Sequence, residues 1–101
     1  IEADYILQKA LSQYGPSDWL DPTLIRFDRA RCKLIEGEIE EAARMALETW
    51  KELEDAYRTD IVVRRANDLI RQAEKAASGS RIPVLEELKD AVKARATRAE
   101  A

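Results

Sequence analysis

Gly37 constrains this chain more than any other residue, because it stands between two apolar stripes of helical period. The segment 26–53 reads RFDRARCKLIEGEIEEAARMALETWKEL. After the glycine, Ile39, Ala42, Ala43, Ala46, Trp50 and Leu53 fall on one helical face, and Glu40, Glu41, Arg44, Glu48 and Lys51 take the rest of the circumference. Before it, Leu24, Phe27, Ala30, Leu34 and Ile35 form a second stripe. Ile25 and Cys32 lie nearly opposite that stripe, so this helix is expected to bury two faces. Glycine enters the left-handed backbone that ends a helix, and the next helix begins almost at once. So short a link forces antiparallel neighbours, and three alanines in one stripe let a neighbouring backbone come close. Two arms of an ordinary helical bundle would read the same way on these facts alone.

The rest of the chain repeats the theme. Residues 1–14 carry Ala3, Ile6, Leu7, Ala10, Leu11 and Tyr14 on one face, and Gly15-Pro16 predicts the stop. Trp19 falls in the loop 16–20, as a lid on the core or as a platform for a ligand. Asp21-Pro22 predicts a capped start for a helix over 22–36, with Leu20 and Ile25 closing a hydrophobic staple. A third helix is predicted over 38–54, with Glu40–Arg44 and Arg44–Glu48 pairs outside. A break at 55–58 precedes a fourth helix capped by Thr59. Val62, Val63, Ala66, Leu69, Ile70, Ala73, Ala76 and Ala77 line its inner side. Ser78-Gly79-Ser80 turns into a fifth helix with Pro83 in its first turn and Val84, Leu85, Leu88, Ala91 and Val92 buried. Beyond Ala94 the apolar stripe is lost and fraying is expected.

Composition narrows the function classes. A chain of 101 residues with 46% hydrophobic and 37% charged residues suits one small folded helical domain. A net charge of −3 lacks the basic footprint of a nucleic-acid binder. One cysteine and no histidine leave neither an internal disulfide nor the usual zinc set, so a reduced, cytoplasmic setting is expected and no cofactor is implied. No apolar run reaches the length of a membrane span. Because Ile1 opens in mid-helix without an initiator methionine, the chain reads as part of a longer protein.

Moving the first helix forward by 39 positions sets Ala3 on Ala42, Ile6 on Met45, Leu11 on Trp50 and Tyr14 on Leu53. Self-similarity of this kind points to stacked helical hairpins. The run Gly37-Glu38-Ile39-Glu40-Glu41-Ala42 resembles the turn of the tetratricopeptide repeat (TPR), with Ala30 and Ala42 at its small-residue positions. Lys33 stands where that family has an aromatic and Thr49 where it has alanine. The resemblance implies an all-α fold of about five helices, built as antiparallel hairpins in a short right-handed TPR-like array. It divides the chain into a half repeat (1–15), the best-matching hairpin (21–54) and a degenerate hairpin (59–98). A narrower resemblance, carried in order by 21–32, 37–42 and 57–66, is to the C-terminal repeat region of actinobacterial regulators with an XRE-type helix-turn-helix. It implies a sensing or oligomerising half whose DNA contact is made only through an N-terminal domain outside this chain.

TPR arrays bind partners on the surface lined by their first helices. Carried over from the Gly37 turn, those positions are Leu24, Phe27, Arg31, Leu34 and Ile35, which would take a protein or peptide partner. Arg31 either clamps a carboxylate there, or snorkels past the core edge, or pairs with Asp28 or Glu36. Arg64, Arg65 and Arg71 read as a solvated basic face with Asp68 and Glu74 interleaved. Cys32 reads as a small core residue and Glu36, Glu38, Glu40 and Glu41 as helix-end carboxylates. No enzyme activity is expected. Self-association is, because a leading half repeat leaves apolar surface uncapped.

Overall fold

The structure, a computed structural model, describes residues 2–12 and 19–100, with the side chains of 96–100 left aside. Among these residues it is all-helical: α1 (Glu2–Leu11), α2 (Leu20–Ile35), α3 (Ile39–Glu52), a 3-10 turn (Asp55–Tyr57), α4 (Asp60–Ala77) and α5 (Pro83–Glu100).

Gly37 reverses the chain as expected. Its φ is +87°, its N–H donates to Leu34 O at 3.0 Å, and the N–H of Glu38 donates to Lys33 O at 2.9 Å. These are the two bonds of a Schellman cap, which satisfies carbonyls that the end of α2 would otherwise leave free. The second turn follows the same logic with a departure in detail: Ser78 itself is left-handed at φ 52°, ahead of Gly79 at 86°.

The core lies between the two hairpins α2–α3 and α4–α5. Phe27, Ala30 and Leu34 of α2 meet Ala42, Ala43, Ala46, Leu47 and Trp50 of α3. Val62, Ala66, Leu69, Ile70 and Ala73 of α4 close on Leu85, Leu88 and Val92 of α5. α2 packs on α4 and α3 on both α4 and α5, while α1 packs on α2 alone of the elements it meets closely. α1 has no buried residue. The fully buried alanines of α3 and α4 allow this close layering, since they hold the neighbouring backbones off by little volume. The two-faced reading of α2 is met only in part: its buried residues, Thr23, Phe27, Ala30 and Leu34, form one stripe, and Ile25 and Cys32 on the other side are no more than half-buried.

Several expectations need correction. α2 begins at Leu20 with Trp19 at the cap position, not Asp21, and no side chain caps it. The first amides of a helix have no partner within it, so Pro22 fits the third position as readily as the first. Thr23 donates both its N–H (3.1 Å) and its hydroxyl (2.5 Å) to Trp19 O instead. Leu20 is the first residue of the helix, after the Trp19 cap, and so is not the residue before a cap that a staple requires. α1 ends at Leu11, while Tyr14, Gly15 and Pro16 lie outside the described residues. Arg44 pairs with Glu41 and Glu48, leaving Glu40 aside. Ala76 is exposed, and α5 continues as helix to Glu100 where fraying was expected. Thr59 does occupy the cap of α4, but its hydroxyl caps nothing.

Two residues that the apolar stripe of α3 did not include lie in the core. Leu47 is buried, and so is Thr49, where the repeat pattern has alanine. Its hydroxyl donates to Met45 O at 2.9 Å, one turn back, which removes the penalty of burying it. Trp19 is a lid: half-buried against the core, it stacks on Tyr57 with ring centroids 4.6 Å apart. Beside it Arg58 lies over the Trp50 ring at 5.0 Å and donates from Nε and Nη2 to Trp50 O, closing the end of α3.

Candidate groove on the second helix

The side of α2 left open between α1 and α4 forms the floor of a groove of 510 Å3. Phe27, Asp28, Arg31, Cys32 and Ile35 reach it from α2 and Leu7 from α1. The α4 wall is Arg65, Asp68, Leu69 and Gln72. The volume lies within the range of pockets that take several side chains or one small ligand.

Its base is apolar. Phe27 is 1% exposed and Leu69 4%, both continuous with the core, whereas Ile35 stands out at 76%. The charges above them are mostly spent on one another. Arg65 Nη1 donates to Asp28 Oδ1 at 2.7 Å across the α2–α4 seam, and Asp68 accepts from Arg71. Arg31 is exposed and makes no hydrogen bond or ion pair among the described residues. Of the expected alternatives, pairing with Asp28 or Glu36 is therefore not formed, and an exposed head beside the core edge agrees with snorkelling.

The five positions carried over from the repeat pattern separate here. Phe27, Arg31 and Ile35 line the groove together. Leu24 is half-buried one turn before them on the same side of α2. Leu34 is 8% exposed and belongs to the core, because it faces α3 across the hairpin. Phe27 contributes only an edge to the floor, so its first role is packing. Sequence reasoning missed the α4 wall and Leu7. The complementary charges of Asp28 and Arg65 were the available signal, but pairing them requires the α2–α4 register. The solvated basic face expected on α4 is present in Arg64 and in Arg71, which pairs with the interleaved Asp68, while Arg65 departs from it by turning to Asp28 across the seam.

A second cleft, between α1, α2 and α3, is polar and self-neutralised. Arg29 donates to Asp4 at 2.8 Å, and that bond holds the Asp4 carboxyl below its usual range. Arg44 does the same to Glu41, and the pairing raises Arg44 in turn. Arg26 pairs with Glu52, and Lys33 lies 3.8 Å from Glu38. With each cation matched there, this cleft offers a ligand no unmatched charge.

Among the described residues no three His, Cys, Asp or Glu side chains are grouped to hold a metal, and no helix is long and apolar enough to cross a membrane. Cys32 is half-buried at the groove wall, in a chain without histidine to activate it. No family model, no curated protein and no solved structure matches this chain.

Proposed function

We propose that this chain is a non-catalytic, TPR-like interaction module that holds a segment of a protein partner in the groove on α2. One observation carries the reading: an open groove beside α2 sets an exposed Ile35 and an unpaired Arg31 over a base that Phe27 and Leu69 seal from the core. The layering of α2 on α4 and α3 on α5 supports an array of stacked hairpins, in which the first helix of each pair faces the partner. Selection of random peptides against the chain tests it. Binders are expected that are lost with Ile35→Asp and retained with Tyr57→Ala; a failure to recover any binder sensitive to Ile35→Asp overturns it.

The module serves as the regulatory or oligomerising half of a transcriptional regulator, with DNA bound by a domain upstream. Support comes from the ordered resemblance over 21–32, 37–42 and 57–66. A basic helix-turn-helix encoded upstream of Ile1 is the expected finding; a kinase, a protease or a membrane span there removes this assignment. Self-association accompanies it, because α1 leaves Tyr5 and Ile6 exposed at 65% and 58%. Sedimentation of a monomer at every concentration would contradict that. A second reading, a peptide-docking scaffold unconnected with DNA, draws on the groove being assembled wholly from this chain's own helices.

A further inference from the structure

The shape and charge of the segment that fills the groove follow from the spacing of the residues it would meet, and so rest on the reading just given. Leu24, Asp28, Arg31 and Ile35 step by four, three and four along α2 and form one ridge. At the helical rise, the ridge spans about 16 Å, or three turns. On α4, Arg65 and Gln72 each lie three or four residues from Asp68 and Leu69, so these four share one face over two turns. Two ridges with helical spacing leave a furrow that fits the side-chain rows of a third helix. An extended peptide fits less well. Every wall of the groove is helical, so the wall amides and carbonyls are already bonded internally, and among the described residues no strand edge is present to receive a main chain.

Charge supplies the second constraint. The Asp28–Arg65 pair and the Asp68–Arg71 pair neutralise themselves. Arg31 remains, with Phe27 one turn before it and Ile35 one turn after. A guanidinium in such a place takes a carboxylate through two parallel hydrogen bonds, and apolar neighbours strengthen them by keeping water away.

We infer that the occupant is an amphipathic α-helix of a partner protein, about three turns long, that sets aliphatic side chains against Ile35, Leu7 and Leu69 and a carboxylate on Arg31. The probe is a displayed library of random 16-residue peptides, selected against the full chain and followed by fluorescence anisotropy of the recovered sequences. The recovered peptides should repeat apolar residues at i, i+4 and i+7 with Asp or Glu between them, and exclude proline from their interior. Changing that acid to its amide should weaken binding about three- to tenfold. Arg31→Gln should weaken it equally, and the two changes together should cost no more than either alone.

Groove-dependent peptides that are proline-rich or basic would overturn the inference while leaving the groove reading standing. So would an acid-to-amide loss that persists undiminished in Arg31→Gln. Displacement of the peptide by N-acetylglutamate at an equal concentration would assign the site to a small carboxylate and overturn the helical occupant. Recovery of no peptide sensitive to Ile35→Asp would remove the groove reading and this inference together.

Discussion

Replacing Gly37 with alanine isolates the cost of the reversal on which the hairpin depends. The glycine has φ +87°, and a Cβ built on it meets nothing within 4 Å. No clash contributes, so the loss is one of backbone alone. An L-residue in left-handed backbone pays about 1–2 kcal/mol. Alanine recovers about 0.4–1 kcal/mol of that, because its unfolded chain is less free than glycine's. The expected net loss is about 1 kcal/mol, or a fall of about 4–8 °C in Tm for a domain of this size. Asparagine tolerates left-handed backbone better than alanine, so Gly37→Asn should lose less. Urea unfolding followed by the fluorescence of Trp19 and Trp50 measures both, with the slope unchanged and the midpoint shifted. An alanine variant as stable as the parent, or an asparagine variant worse than it, would refute the left-handed turn. A loss above about 3 kcal/mol would mean that the new methyl meets a neighbour, contrary to the open space around the glycine.

Other consequences separate packing from binding and locate the weak points of the fold. Phe27→Ala should cost about 3–5 kcal/mol in urea unfolding, while Ile35→Ser should stay within about 0.5 kcal/mol of the parent; equal losses would contradict their different burial. Arg58→Lys removes a two-pronged bond to Trp50 O and a planar cation over the ring, so a loss of about 1 kcal/mol is expected. A neutral result would show that α3 ends without that cap. Acidification should release α1 first. The Arg29 bond lowers the folded-state pKa of Asp4 from its ordinary 3.8, so its contribution is present above that value and lost as pH falls through the lowered one. Protection of the α1 amides, relative to their free exchange rate at each pH, should therefore fall below about pH 4, and in Asp4→Asn it should already be low at neutral pH. Acid-insensitive protection in the parent would exclude the ion pair as the tether.

Much of this architecture was legible in the residues themselves. The stripes on α3 and α4 name most of the core because a 3.6-residue period has one physical solution when half the circumference is charged. Gly37 and Ser78-Gly79-Ser80 mark both hairpin turns because few residues enter left-handed backbone cheaply. Local chemistry was a poorer guide where tertiary contact competed with it. Asp21 looked like a cap, yet Thr23 bonds Trp19 O and Trp19 stacks on Tyr57, which draws the start of α2 back to Leu20. Thr49 looked like a departure from the pattern, and a bond to its own helix is what buries it. The groove was half legible. Arg31 and Ile35 stood out as positions on an apolar stripe, but the α4 wall depends on the seam that Asp28 and Arg65 close across 37 residues.

The most direct test of the central claim is a map of amide chemical shifts as a selected peptide is titrated into the full chain. The account expects the shifts to cluster on Leu7, Leu24, Arg31, Ile35, Arg65 and Gln72, with Lys89 on the far wall of the second hairpin unmoved. Shifts centred instead on α3 or α5, with the open side of α2 silent, would contradict it.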